Sequence, residues 1–227
     1  MIKVVISGYG KMGKMVEQSL AEKNIACAGI TDDVATFDDA VARDAVCIDF
    51  TTPDAFRHNY GVLARKFKAV VVGTTGWYDM SDEVFAAFKQ AGTTLIWASN
   101  FSVGVNVTSA AVELVASLLA KSGGYSSYIV EKHHIHKLDA PSGTAKTLAH
   151  DVERGMGTLP AISSVRVGEI AGTHTVGFEG MCDRITIEHE AFSRKGFADG
   201  SVLAATMTEQ LATGVYEFKE LFLKRLK

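Results

Sequence analysis

A short β-branched strand that runs straight into three spaced glycines constrains this chain more than any other feature. Lys3-Val4-Val5-Ile6-Ser7 is followed by Gly8-Tyr9-Gly10-Lys11-Met12-Gly13, a G-x-G-x-x-G that opens a helical pattern. In such a turn the first glycine permits the tight bend, the second lets a pyrophosphate approach the backbone, and the third lets helix and strand pack closely. Free N–H groups and the positive dipole end at the helix N-terminus then face the phosphates. Asp32 and Asp33 stand 19 and 20 residues beyond Gly13, at the end of the next β-branched run. An acidic residue there accepts hydrogen bonds from the adenosine ribose hydroxyls and repels a 2′-phosphate. The expectation is therefore a nicotinamide dinucleotide, NADH in preference to NADPH, with Lys11 near enough to tolerate the phosphate. On these residues alone the alternative is a tight turn with two solvated aspartates.

The rhythm of the first hundred residues extends the same pattern. Strands are expected at Lys3 to Ser7, Ala26 to Thr31, Ala45 to Asp49, Ala69 to Val72 and Thr94 to Ala98. Helices or helical turns are expected between them, at 11–23, 37–42, 53–66 and 81–92. Alternation of this kind is the sign of parallel strands joined by crossover helices, and the all-apolar Ala69-Val70-Val71-Val72 suits a strand covered on both faces. The class is α/β: an N-terminal Rossmann-like, doubly wound parallel sheet. Two further loops, Gly73-Thr74-Thr75-Gly76 and Ser99-Asn100-Phe101-Ser102, follow strands on the same carboxyl edge, where ligands of open parallel sheets sit. Ordinary strand-to-helix turns are the competing reading of both.

Beyond residue 100 the pattern changes. One long apolar helix is expected over 105–121, a strand over 125–133 and a helix over 142–154. Strands over 164–169, 173–179 and 184–191 follow, separated by glycine-bearing turns, and helices over 201–213 and 216–226 close the chain. This second unit is expected to be an α+β domain with a mixed or antiparallel sheet. The division reads as 1–103 for the dinucleotide and 104–203 for substrate and oligomerisation, with the helices of about 204–227 packing back on the first unit. A tight hinge near Phe101 to Gly104 would close to bring cofactor and substrate together.

Composition narrows the classes. The 227 residues include 47% hydrophobic and 22% charged side chains and three prolines, which suits a folded globular chain without low-complexity segments. A formal net charge of -3 offers no global attraction to nucleic acid or anionic lipid, and no local basic cluster supplies one. Cys27, Cys47 and Cys182 are too far apart for a zinc ribbon or disulfide framework. The N-terminal apolar stretch is too short for a secretory signal and no run approaches a membrane span, so a soluble, cytoplasmic protein is expected.

The chemistry concentrates in Glu131-Lys132-His133-His134-Ile135-His136-Lys137-Leu138-Asp139-Ala140-Pro141-Ser142-Gly143-Thr144-Ala145. Three of the seven histidines lie within four residues, beside a lysine and a Ser-Gly-Thr that starts a helix. Imidazole transfers protons near neutral pH, the ammonium donates, and a helix N-terminus holds an anion. These parts suit an enzyme that handles a carboxylated substrate. A metal held by His133, His134 and His136 is a rival, weakened by the lack of nearby thiolates, and a purely structural cluster is another.

That string resembles the signature of the 4-hydroxy-tetrahydrodipicolinate reductase (dihydrodipicolinate reductase) family, E-x-H-H-x-x-K-x-D-A-P-S-G-T-A, at every specified position. The resemblance extends to the glycine loop, Ile48-Asp49-Phe50-Thr51 with Pro53, Gly73 to Gly76, Asn100 to Asn106, and Ser193-Arg194 before Phe197-Ala198-Asp199-Gly200. It implies a reductase of the diaminopimelate route to lysine that takes NADH or NADPH and a small dicarboxylate, and a homotetramer built through the second domain's sheet. By the same resemblance His133 is the general acid/base and Lys137 the proton donor, while His134, Ser142, Gly143, Thr144 and Arg194 hold the substrate's carboxylates. Gly8, Tyr9, Gly10, Lys11, Met12, Gly13, Asp32, Gly73, Thr74, Thr75, Ala98, Ser99, Asn100 and Phe101 match cofactor contacts; no metal is implied. This chain departs from many relatives in Ser99, where they carry proline, and in a glycine loop one residue shorter than the longer members use. Two rivals remain. An aspartate or homoserine dehydrogenase would share the glycine loop but not the histidine-lysine-serine string, and an NADH-sensing regulator would carry a basic DNA-reading element.

Overall fold

The computed structural model describes residues 2 to 225. The chain divides into two compact units, Met1–Ser102 with Lys195–Lys227, and Val103–Arg194.

The first unit holds a six-stranded parallel sheet. β1 (Lys3–Ser7), β2 (Ala26–Thr31), β3 (Val46–Asp49), β4 (Ala69–Val72) and β5 (Thr94–Trp97) alternate with α1 (Lys11–Glu22), α2 (Asp39–Arg43), α3 (Pro53–Lys66) and α4 (Ser81–Ala91). Local signals set these helices: the Thr52 side chain accepts from Ala55 N–H ahead of Pro53 at the start of α3, and Gly92, at φ +67°, ends α4. With β10 (Val215–Glu217), the spatial order is β10-β5-β4-β3-β1-β2. Chain order therefore reverses between β1 and β3, which puts the topological switch point at the ends of those two strands. Val5, Cys47, Val70 and Leu95 form a buried row across the sheet, covered by Phe56, Leu63, Trp77 and Phe88.

The last part of this unit differs from expectation. In place of a helix over 201–213, α7 runs Lys195–Met207. Gly196 and Gly200 read as breakers by propensity, yet Gly200 is required: a Cβ there would lie 1.8 Å from the Phe101 carbonyl oxygen. Helix α7, rich in alanine, packs on α1, β3 and β4, so the first unit takes the chain back at Lys195 rather than near 204. Residues 216 and 217, expected to be helical, belong to β10 (Val215–Glu217), a sixth parallel strand beside β5; α8 (Phe218–Arg225) follows. Leu226, the expected end of that helix, lies outside the described residues.

The second unit is a two-layer α+β fold. α5 (Val103–Ser122) leads to β6 (Ser126–His133), α6 (Gly143–Met156), β7 (Ala161–Arg166), β8 (Thr173–Glu179) and β9 (Arg184–Glu190). The sheet order is β7-β6-β8-β9, with β6 and β7 parallel and the other pairs antiparallel. Strand β7 begins and ends three residues before its expected span, because Val167 N–H already bonds the His133 carbonyl and Gly168, at φ +53°, turns the chain. Against the expectation that no run approaches a membrane span, helix α5 is long and apolar enough to cross one by length and composition alone; in the fold it packs along α6 and β9. Both helices serve one sheet face, where Val112, Leu148 and Val152 meet Ile129, Val176 and Phe178.

Candidate active site

In the first unit, three loops meet at the carboxyl edge of the sheet. Gly8 (φ +88°) donates its N–H to the Thr31 carbonyl at 3.0 Å, and a Cβ there would lie 2.5 Å from the Phe50 carbonyl oxygen. A Cβ on Gly13 would come 2.2 Å from the Gly8 carbonyl oxygen, so the third glycine is a packing requirement between helix and loop. Gly10 is different. It caps α1 with no side-chain hydrogen bond, and a Cβ on it would meet nothing within 4 Å. An open second glycine ahead of uncapped helix N–H groups is what a pyrophosphate needs. Asp32 is exposed at the end of β2 and accepts from Tyr9 N–H at 3.0 Å, which ties the acidic residue to the glycine loop. Asp33 instead turns inward on its own loop, accepting from Ala35 N–H at 2.9 Å. These features fit a dinucleotide.

The remaining cofactor candidates divide by burial. Lys11, Thr75 and Ser99 are exposed, and Asn100 is half-buried, its Oδ1 accepting from Ser102 N–H at 2.8 Å. Phe101 and Ala98 are core, Phe101 packing on Phe218 at 5.0 Å between centroids. Gly73 is filled by Phe50, whose ring a Cβ would strike at 2.0 Å. The Thr74 side chain is turned inward: its hydroxyl donates to Asp49 Oδ1 at 2.6 Å and accepts from Thr51 N–H at 2.8 Å, while its carbonyl takes the Trp77 indole N–H. Sequence reasoning had not singled out Asp49 for a role. Buried at the end of β3, it accepts from Ser7, Thr51 and Thr74, and so ties together the loops after β1, β3 and β4. Burial raises its pKa against those hydrogen bonds.

In the second unit, His133 ends β6 on the same face as Glu131, and both are buried. His133 Nδ1 is hydrogen-bonded to Glu131 Oε2. The Arg166 guanidinium, brought alongside by the parallel pairing of β7, donates to both Glu131 oxygens at 3.0 and 2.8 Å and to the Asp139 carbonyl at 2.6 Å. Burial pushes the Glu131 carboxyl up, but hydrogen bonds from Arg166, Ser164 and His133 outweigh it and hold it at about 2. Burial lowers the His133 imidazole below its ordinary value, Glu131 opposing and Lys137 and Arg166 adding to the fall. An ionised carboxylate on Nδ1 fixes the proton there and leaves Nε2 as the unprotonated nitrogen of the neutral ring.

The segment after β6 brings Lys137 and the start of α6 into the same unit. Lys137 Nζ pairs with Asp139 Oδ1 at 2.8 Å. Ser142 caps α6, its Oγ accepting from Ala145 N–H at 3.2 Å, with His174 Nε2 at 3.1 Å. Gly143 is exposed and Thr144 half-buried in the first turn. His134 donates its N–H to the Ile170 carbonyl at 2.8 Å, and its buried Nδ1 has no partner. Arg194 is exposed at the end of the unit. No three His, Cys, Asp or Glu side chains among the described residues converge as a metal site. Glu131 is legible as a partner two residues from His133 on a strand, which returns to the same face. Arg166 and His174 carry no local signal.

Comparison with known proteins follows the same division. The family model described as dihydrodipicolinate reductase, N-terminus, matches residues 2–101, and the model for its C-terminus matches residues 104–222. The chain is 34% identical to the 4-hydroxy-tetrahydrodipicolinate reductase of Christiangramia forsetii, covering 97% of each chain. It is 37% identical to that of Xanthomonas euvesicatoria pv. vesicatoria, covering 98% of each. Among solved structures, dipicolinate-bound dihydrodipicolinate reductase from Paenisporosarcina sp. TG-14 superposes with a TM-score of 0.79 at 22% identity, covering 97% of this chain and 99% of that one. C. glutamicum DAP dehydrogenase shares the fold more distantly, with a TM-score of 0.58 at 14% identity over 96% of this chain and 93% of that one.

Proposed function

The chain belongs to the dihydrodipicolinate reductase family, and from that premise we propose how its residues divide the work of reduction. It is an NAD(P)H-dependent oxidoreductase that reduces 4-hydroxy-tetrahydrodipicolinate to tetrahydrodipicolinate, with loss of water, in the diaminopimelate route to lysine. When bound, the reduced nicotinamide supplies the hydride. Gly8 to Gly13 and the N-terminus of α1 hold the pyrophosphate, Asp32 the adenosine ribose, and the loops around Thr75 and Asn100 the nicotinamide end. NADH is the preferred cofactor, because the Asp32 carboxylate beside the glycine loop repels a 2′-phosphate.

One observation carries the catalytic assignment: His133 is held through Nδ1 by a buried, ionised Glu131, at the end of the strand that leads to Lys137 and the α6 N-terminus. The His133 imidazole is the general acid/base. Lys137 leaves Asp139 to donate the proton that the substrate needs as it becomes electron-rich, which stabilises charge where it develops. Ser142, Gly143 and Thr144, with His134 and Arg194, neutralise and orient the two carboxylates; the helix dipole favours an anion there. Two supports point to a homotetramer in the cytoplasm. Within the second unit both helices lie on one sheet face, which leaves Tyr128, Val130 and Val165 on the other, and all three cysteines are free thiols, as a reducing compartment keeps them.

The test is a coupled assay in which dihydrodipicolinate synthase generates the substrate and oxidation of NADH or NADPH is followed by absorbance. Lys137→Ala is expected to lower kcat by about 10²-fold or more while NADH affinity is unchanged, and the wild-type protein to favour NADH. Equal loss of NADH affinity in the variant would remove Lys137 from the catalytic role. A preference for NADPH would remove Asp32 from the discriminating one.

A further inference from the structure

We infer that His174, which no comparison or motif assigns, is a positioning residue that presets the Ser142 hydroxyl as a hydrogen-bond donor and thereby selects a carboxylate over any donor group at the start of α6. The inference rests on the reading of Ser142 as a carboxylate ligand and adds the reason why a serine there takes an anion.

The geometry leaves one consistent arrangement of protons. Ser142 is buried, with 2% of its surface exposed, and its Oγ has two neighbours: Ala145 N–H, which donates to it at 3.2 Å, and His174 Nε2 at 3.1 Å. His174 is 5% exposed, and its Nδ1 is buried with no partner. Burial, then the charge on His133, pushes its pKa down to about 4, so the ring is neutral near pH 7 and carries one proton. If Ser142 donated to Nε2, that proton would sit on Nδ1 as an orphaned buried N–H, the rarest kind of unsatisfied group. With the proton on Nε2 the bond runs the other way, and Nδ1 is left as a bare lone pair, which costs less. Nε2–H therefore donates to Ser142 Oγ. The oxygen then accepts two hydrogen bonds, one from the helix and one from the imidazole, which uses both of its lone pairs. Only its own hydrogen remains to be given, and no other hydrogen bond to this Oγ exists among the described residues. A hydroxyl in that state accepts nothing further. It can meet a carboxylate but not an ammonium or a second hydroxyl donor, which is specificity imposed by the alternative's unpaired groups.

The test is a double-mutant cycle on the NADH-loaded enzyme, with dipicolinate affinity measured by calorimetry for wild type, Ser142→Ala, His174→Phe and the double variant. Each single variant is expected to weaken binding about tenfold, as for loss of a hydrogen bond to a charged group, and the double variant to be no weaker than either. His174→Gln, whose amide N–H replaces the imidazole donor, is expected to recover most of the loss. Additive losses, an unaffected His174→Phe, or a Gln variant as weak as Phe would overturn the proposal while leaving Ser142 as a ligand. Unchanged affinity in Ser142→Ala would overturn the reading of Ser142 itself and the proposal with it. Nitrogen-15 NMR of the wild-type holoenzyme gives a check that needs no variant: a His174 proton on Nε2 agrees, and one on Nδ1 refutes.

Discussion

Glu131 is the buried charge around which the second unit's polar cluster is built. It is fully buried, yet it stays ionised because Arg166 grips both oxygens and His133 takes the remaining direction. Removing one partner of such a group leaves the other charge buried and unpaired, which costs about 3 kcal/mol or more. Glu131→Gln is therefore expected to lower the unfolding free energy through the stranded Arg166, and separately to lower kcat by about 10²-fold. The kinetic effect has its own signature. The Glu131 charge holds the His133 pKa up against burial, so its loss moves that pKa further down, and the acid limb of the kcat profile moves to lower pH with it. NMR titration of His133 beside the pH profile checks this. A limb that stays in place while the His133 pKa falls would mean that His133 is not the group titrating in turnover.

At the level of elements, the glycines of the α1 loop perform different work, as the motif leads one to expect. Gly13 is pressed against the Gly8 carbonyl and Gly10 faces open space. Gly13→Ala is expected to destabilise the fold by about 1 to 3 kcal/mol, the usual penalty for overpacking. Gly10→Ala is expected to leave thermal stability within about 0.5 kcal/mol and to weaken NADH binding strongly, because the new methyl group occupies the space the pyrophosphate needs. Thermal melts paired with NADH fluorescence titrations separate the two, and a Gly10→Ala protein with intact NADH affinity would refute the placement of the phosphates. Helix α7 gives the contrasting case. Its glycines disguise it in the sequence, since a helix start at Lys195 with Gly196 and Gly200 inside contradicts propensity. Tertiary packing reverses that preference, because only glycine lets the helix approach the Phe101 carbonyl. Strand β10 was hidden for another reason: three residues are too few for any period to show.

For the whole molecule, a strongly depressed carboxylate in each unit couples stability to acid. Burial raises Asp199 in the first unit, but Ser19, Lys195 and Lys23 outweigh it and hold the group at about 2, as Arg166 and its neighbours hold Glu131 in the second. Both folded pKa values lie below the ordinary 3.8 and 4.5. A depressed carboxylate stabilises fully above its unfolded value and loses that contribution as pH falls through the folded one. Asp49 has the opposite sign: raised by burial, it favours the folded state more as pH falls. Stability is therefore expected to drop between pH about 4.5 and about 2, and Asp199→Asn and Glu131→Gln each to flatten that drop. Circular dichroism across the range is the measurement, and an acid transition with the same steepness in both variants would refute the assignment.

The parallel α/β unit, its glycine loop with Asp32, and the segment from Glu131 to Ala145 are legible in the sequence, because each is written in a few adjacent residues. A strand's alternation, a helix cap and a glycine's freedom are local properties, and Glu131 and His133 share a face simply by standing two apart on a strand. What those residues touch is set by the three-dimensional fold. Arg166 reaches Glu131 from 35 residues away and His174 reaches Ser142 from 32, each delivered by the register of a mixed sheet. Register is set by non-local hydrogen bonds and by which face is buried, and a slip of one residue would turn every one of these side chains to the other side.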